Sequence, residues 1–232
     1  MVTALQHIQE PECRYERKFF VENGSMQAVL LACRLHPACF KPAFSPRQVN
    51  NLYLDTMGFD HYFDNVEGSR ERMKVRIRWY GPLWGKIEKP VLEIKTKEGM
   101  VGGKYSFPLA AFELNGQFCK NQLATAFKGK LPAAIQDNVI GMKPMLLNQY
   151  QRHYLLSFDK KFRLTVDTGL AFHFISYGRP VSLQRSADPG NVILEMKYKV
   201  EDDATARKMT GLFPLMMTKS SKYVQGIDRL YH

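Results

Sequence analysis

The sequence predicts an α+β domain: an antiparallel, eight-stranded, closed β-barrel with flanking helices. Three observations predict it. Residues 70–79 read RERMKVRIRW, so Arg72, Lys74, Arg76 and Arg78 alternate with Met73, Val75, Ile77 and Trp79. A period of two is that of a strand, with cations on one face and apolar groups on the other. The alternation recurs at residues 91–97, 161–167 and 192–199, each time with charges opposite aliphatic side chains. Short helical stretches and Gly/Pro turns separate the strands, and a barrel can turn its polar faces inward around a ligand.

The elements follow in order. Residues 15–21 read as a first strand, and Gly24 and Ser25 open a helix with Met26, Val29, Leu30 and Leu35 as its apolar positions. Residues 36–46 carry three prolines and read as a loop before a short strand at 49–55. An irregular or helical FDHYFDNVEG precedes the cationic strand at 70–80. Gly81, Pro82 and Gly85 form a turn to a hairpin partner at 90–97. Gly99, Gly102 and Gly103 mark a mobile connection to 104–109, and residues 109–139 read as mostly helical. Residues 145–157, 162–168 and 170–177 form a meander, 179–191 a loop, 192–200 a strand and 202–212 a helix. The end, SKYVQGIDRLY, carries no clear assignment. No linker interrupts residues 1–232, so one domain is expected, with 1–13 a loosely attached N-terminus.

Lys and Arg number 33 against 22 Asp and Glu, a formal charge of +11, which points to a polyanionic partner. The bases are interleaved with apolar residues inside strands rather than collected in a tail, so a shaped pocket or groove is favoured. A nucleic-acid binder ranks last, because no aromatic platform interleaves with the bases. Cys13, Cys33, Cys39 and Cys119 lack CxxC spacing and histidine partners and read as free thiols of a reducing compartment. Neither a signal peptide nor a stretch of membrane-helix length is evident, so a cytoplasmic protein is expected.

Phosphate chemistry calls for positive charge around the oxygens and a metal to bridge them, with no reactive side chain required. Arg76, Arg78, Lys95, Arg152 and Arg163 occupy plausible inward strand positions. Each taken singly also reads as a solvated or snorkelling side chain. Glu195 lies between Leu194 and Met196, where a carboxylate needs either a cationic partner or a metal ion. Glu16, in RYERKF, reads the same two ways. Neither a P-loop nor a Rossmann glycine motif occurs.

The blocks RYERKF, NNLYLDT, KVRIRWY, LEIKTKEG, NQYQRHYL, FRLTVDTGL, ILEMKY and SKYVQGID, in that order, resemble the catalytic domain of vacuolar transporter chaperones (VTC). That domain belongs to the triphosphate tunnel metalloenzymes, or CYTH superfamily. The resemblance runs from Arg14 to about Asp228. It implies a tunnel of eight antiparallel strands and transfer of the γ-phosphate of ATP to a growing polyphosphate chain with Mn2+ or Mg2+. It further implies catalytic roles for Lys18, Arg76, Arg78, Lys95, Arg152 and Arg163. Lys104, Lys197, Ser221 and Lys222 would bind substrate, the Ser221–Lys222 pair near the tunnel mouth, and Glu195 with Glu16 would bind the metal. The superfamily opens with ExExK, whereas Arg14 stands here in place of the first glutamate. The SPX domain and membrane helices of eukaryotic VTC proteins have no counterpart in these residues, so any membrane coupling would use a separate partner.

The expected function is thus a polyphosphate polymerase acting on ATP and polyphosphate or pyrophosphate. Two rivals are a tripolyphosphatase or nucleoside triphosphatase of the same superfamily, and a non-catalytic module that binds polyphosphate or inositol phosphates. A hydrolase would need a carboxylate to activate water, for which Glu16 and Glu93 are the candidates.

Overall fold

The computed structural model describes residues 14–98, 101–115, 118–175 and 185–231. Strand β1 (Arg14–Val21) leads to helix α1 (Met26–Leu35), where Ser25 Oγ accepts the Ala28 amide and caps the first turn. β2 (Lys41–Asp55), α2 (Asp60–Glu67), β3 (Glu71–Tyr80), β4 (Gly85–Ile87), β5 (Val91–Glu98), β6 (Val101–Pro108) and β7 (Phe112–Leu114) follow. Next come α3 (Lys120–Phe127), α4 (Ala133–Ile140), β8 (Lys143–Leu156), β9 (Arg163–Phe174), β10 (Arg185–Asp188) and β11 (Val192–Lys199). A 3-10 turn (Val200–Asp202), α5 (Asp203–Thr210) and α6 (Lys222–Tyr231) complete the chain.

Several elements differ from the sequence expectation. The proline-rich segment is not all loop: β2 starts at Lys41, and its register slips between Pro42 and Phe44 and between Phe44 and Arg47. Such irregularities are where proline is tolerated in a strand. The glycine-marked connection is largely strand, since Gly102 and Gly103 pair with Lys97 and Thr96; residues 99–100 lie outside the described residues. The segment 109–139 holds β7 besides two helices. The expected meander break at Gly169 is bridged by one continuous β9, Gly169 taking a positive φ of 60° beside the register shift at Gln149/Gln151 of β8. Part of the 179–191 loop is β10, and residues 1–13 and 176–184 lie outside the described residues. The unassigned terminus is α6.

The expected closed barrel is an open, curled sheet. Its order is β1-β11-β9-β8-β2-β3-β5-β6, with β10 beside β9, and β4 and β7 form a separate pair. The outer edge of β1 is already taken. Thr218 N bonds to Lys18 O, Phe20 N to Thr218 Oγ1, and Phe19 bridges Met217. The segment entering α6 therefore occupies the edge that β6 would need for closure, and among the described residues β1 and β6 do not pair. The sheet nonetheless curls far enough for Glu16 of β1 to face Lys95 of β5, their charged atoms 3.9 Å apart. The face carrying these groups is thus the concave one.

Alternation explains the rest. Most apolar residues of the strands point to the convex side. There Val75, Ile77, Trp79, Leu92 and Ile94 pack with Leu123, Phe127, Ile135 and Val139 of α3 and α4. Phe19, Leu164, Val166, Leu194 and Met196 pack with Val29, Cys33, Ala206 and Met209 of α1 and α5. The cations are left facing inward. Helix α6 packs on the other side, setting Tyr223, Ile227 and Leu230 against Tyr53, Leu146, Tyr150, Phe172 and Ile193. Gly226 makes that approach possible, because a Cβ there would run into Leu146 and Phe172.

Candidate functional site

The concave face is built from same-face positions of seven strands plus the start of α6. On β3 the positions are Lys74, Arg76 and Arg78, and on β5 Glu93 and Lys95, in register as Arg76↔Glu93 and Lys74↔Lys95. Lys104 of β6 lies beside Lys95. On the opposite wall Lys18 of β1 pairs with Glu195 of β11, and Glu16 with Lys197. Arg152 of β8 faces Asp167 of β9.

Three carboxylate nodes organise these cations. Glu93 takes Arg76 Nη2 at 2.6 Å and Lys104 Nζ at 2.7 Å, with Arg78 Nη1 at 3.5 Å. Burial favours the neutral acid, but Arg76, Arg78 and Lys104 together hold Glu93 far below the ordinary carboxylate range. Asp167 forms a fork with Arg152 (2.6 and 2.7 Å) and takes Lys222 Nζ at 2.6 Å. Against the opposing effect of burial, these two cations keep its pKa at about 2. The third node is a pair. Glu195 binds Lys197 Nζ at 2.6 Å with Lys18 Nζ at 3.8 Å, while Glu16 binds Lys18 Nζ at 2.6 Å with Lys95 and Lys197 at 3.9 Å. Both acids are lowered by these lysines against burial, and Glu195 also raises Glu16 by repulsion.

Two lysines lack an equal share of negative charge. Burial, then Lys18, Arg72 and Arg76, push Lys74 down to about 7; its Nζ donates to Ser221 Oγ at 3.0 Å. Burial, partly offset by Glu16 and reinforced by Lys197 and Arg76, pushes Lys95 to about 7, although its side chain keeps 38% exposure to the groove. Fully protonated, nine basic groups (Lys18, Lys74, Arg76, Arg78, Lys95, Lys104, Arg152, Lys197, Lys222) exceed four carboxylates (Glu16, Glu93, Asp167, Glu195) by five charges, and by three when Lys74 and Lys95 are neutral. Such an excess in a partly desolvated groove is a site for a polyanion.

Neutral groups set the guanidinium positions. Arg78 Nε donates to Asn51 Oδ1 at 3.0 Å and its Nη2 to Tyr150 OH at 3.3 Å; Asn51 is held in turn by Asn148 Oδ1 at 2.9 Å. Arg152 and Lys222 lie over the Tyr150 ring at 5.2 and 4.7 Å. Arg152 and Arg78 draw the Tyr150 hydroxyl to about 8 despite its burial.

Of the twelve residues singled out from the sequence, eleven converge here. Arg163 does not join them. It shares the strand face of Thr165 and Asp167 but stands at the end of β9, exposed in a groove with Arg14, Lys160, Lys161 and Lys199. It is the first residue of β9 and the register partner of Lys197, and its exposed side chain joins none of the three carboxylate nodes. Lys222, expected at the mouth, is in the interior on Asp167, with Ser221 capping α6 through the Val224 amide. Lys74, Asp167 and Tyr150 are additions to the expected site, and Glu93, expected only as the water-activating acid of a hydrolase, is instead a cation-binding node. Alternation was the available signal: Lys74 is two before Arg76, Glu93 two before Lys95, and Tyr150 two before Arg152. The expectation that no aromatic platform accompanies the bases also fails. Phe44, Tyr80 and Tyr154 surround Arg47 at one end of the concave face.

Glu16 and Glu195 fit a hard divalent cation: two ionised carboxylates, each touching Lys18 and Lys197, supply oxygen donors. Among the described residues no third carboxylate, His or Cys completes a metal cluster, so bound phosphate and water would fill the other positions. No described helix is long and apolar enough to cross a membrane.

The profile of the VTC domain family matches residues 13–231. Among solved structures, a candidate adenylate cyclase from Vibrio parahaemolyticus superposes with a TM-score of 0.51 at 14% identity, covering 93% of this chain and 99% of its own. A candidate adenylyl cyclase from Hippeastrum, with a dominant triphosphatase activity, superposes at 0.50 and 14% identity, covering 92% of this chain and 96% of its own. At these identities the likeness is one of fold. No curated protein sequence matches the chain.

Proposed function

Because the chain belongs to the VTC domain family, we propose that it is a polyphosphate polymerase that moves the γ-phosphate of ATP onto the end of a polyphosphate chain. The supporting observation is the length of the cationic face. Arg72, Lys74, Arg76 and Arg78 of β3 alone span about 20 Å at the rise of a strand, and three phosphates cover only part of that run.

Arg76, Arg78 and Arg152 present guanidinium groups for bidentate phosphate contact, and Lys18, Lys95, Lys104 and Lys197 act as point charges. In the transfer, the bond from the γ-phosphorus to the bridging oxygen breaks and ADP leaves. A new bond forms to a terminal oxygen of the acceptor chain. That oxygen is already ionised, so no side chain has to accept a proton. The protein's share is alignment and charge neutralisation by residues already held in place. Glu195 and Glu16 would hold Mn2+ or Mg2+, which supplies charge neutralisation across the phosphate oxygens.

The state of the carboxylates favours transfer over hydrolysis. Glu93, the best-buried candidate to activate water, is engaged by three cations, and Glu16 is tied to Lys18 at 2.6 Å. Neither is free to take a proton. The deciding experiment incubates the protein with ATP and Mn2+, separates products on a gel stained for polyphosphate, and measures free phosphate alongside. Polymer with ADP and little phosphate is expected. Phosphate release equal to ATP loss, without polymer, would replace this reading by the triphosphatase.

A further inference from the structure

The aromatic cluster at one end of the concave face has no part in the phosphate site as described. Arg47 of β2 is in register with Arg152 of β8, and so shares its concave face. Its guanidinium lies over Phe44, Tyr80 and Tyr154 at 5.3, 5.6 and 5.7 Å. Phe44 and Tyr154 meet edge to face at 5.8 Å, and Tyr154 is hydrogen-bonded to Tyr80. Among the described residues no acid pairs with Arg47. The cluster is not buried: Phe44 is 59% and Tyr80 51% exposed.

Its position relative to the cations is set by alternation. Tyr80 is two residues beyond Arg78, and Tyr154 two beyond Arg152, so each ring stands about 7 Å along its strand from a phosphate-binding guanidinium. Between the cluster and Glu195 lies Thr165, the register partner of both Tyr154 and Glu195. Thr165 is more than nine-tenths buried, yet its hydroxyl has no hydrogen-bond partner. A buried, unsatisfied hydroxyl between an aromatic platform and a polyanion groove is the arrangement a ribose between a base and its phosphates would satisfy.

We propose that Phe44, Tyr80, Tyr154 and Arg47 form a nucleobase subsite, with the base stacked on the exposed rings and the Arg47 guanidinium and Thr165 bonded to the ribose. The proposal rests on the reading that the donor is a nucleoside triphosphate. It also fixes direction: the nucleoside sits at the Tyr80–Tyr154 end, and the phosphates run toward Lys74 and Lys18. Stacking reads a π-face and not a hydrogen-bond pattern, so ATP and GTP should bind alike.

The test compares ATP with inorganic tripolyphosphate, both measured calorimetrically without divalent cation so that neither is turned over. Phe44→Ala and Tyr80→Leu are each expected to weaken ATP binding about five- to a hundredfold, the scale of one lost base stack, while tripolyphosphate binding is retained. Retained tripolyphosphate binding also shows that the variants are folded. Equal losses for both ligands would overturn the proposal and make the cluster a support for Arg152. Unchanged ATP binding in both variants would overturn it as well. A wild-type protein that binds tripolyphosphate but not ATP would refute the base subsite and leave a polyphosphate groove; binding of neither would refute the donor reading with it.

Discussion

Substituting Glu93 by Gln preserves shape and removes the counter-charge of three cations at once. In the native protein its two oxygens meet Arg76 at 2.6 Å, Lys104 at 2.7 Å and Arg78 at 3.5 Å. Removing one partner of a fully buried pair costs about 3–5 kcal/mol, because the other charge is left without compensation. Here Lys104 is half exposed and Arg78 sits at longer range, so part of the charge can be solvated. The cost is accordingly about 2–4 kcal/mol. For a chain of this size that lowers the melting temperature by roughly 5–15 °C. Glu93 is ionised throughout the ordinary range. Its contribution is therefore present above the unfolded-state value and lost only in strong acid, and the difference between variant and wild type should not vary between neutral and mildly alkaline pH. Tripolyphosphate at a hundredfold its dissociation constant adds about 2.7 kcal/mol to any form that binds it. It should add more to Glu93→Gln at the same concentration, because the ligand there meets three cations without an internal competitor. Thermal melts of both proteins, with and without tripolyphosphate, measure both effects. A ligand-free variant as stable as wild type, or more stable, would refute the assignment of Glu93 as the node that makes this cation cluster tolerable. By the same reasoning Arg76→Ala is mild, since Glu93 keeps Arg78 and Lys104.

Other outcomes follow from the same geometry. Lys74 and Lys95, held near 7, make the ligand-free fold less stable as pH falls from about 10 to 7; a bound polyanion restores their protons. Tripolyphosphate binding should therefore take up protons at pH 8 and weaken as pH rises through 7–9, with less uptake in Lys74→Met. Calorimetry in buffers of different ionisation enthalpy reads this directly, and zero uptake would contradict it. Glu195→Gln should abolish metal-dependent turnover while ATP still binds in the absence of metal; normal turnover would remove Glu195 from the metal site. Gly226→Ala drives a methyl group into Leu146 and Phe172, so α6 should shift and the protein lose about 1–3 kcal/mol. A melting temperature equal to wild type would mean that α6 is not seated as described.

Much of the site was legible in the chain because strand alternation is a local property. Arg72, Lys74, Arg76 and Arg78 on one face of residues 70–79 need no partner to be recognised. The apolar faces that bury against the helices, the position of Glu195 among aliphatics, and the VTC resemblance are equally local or follow chain order. Which acid meets which base was not legible. Glu93 joins Arg76, Arg78 and Lys104 from three neighbouring strands, and Asp167 joins Arg152 and Lys222 from two strands and a helix 55 positions downstream. Those pairings depend on register, which is set by bulges at Pro42, Phe44 and Gln149 that leave only a faint trace in composition. Closure of the sheet was likewise a tertiary decision. Residues 217 and 218, some 200 positions after β1, claim the β1 edge and leave the barrel open, because an edge strand bonds whichever backbone the fold brings to it.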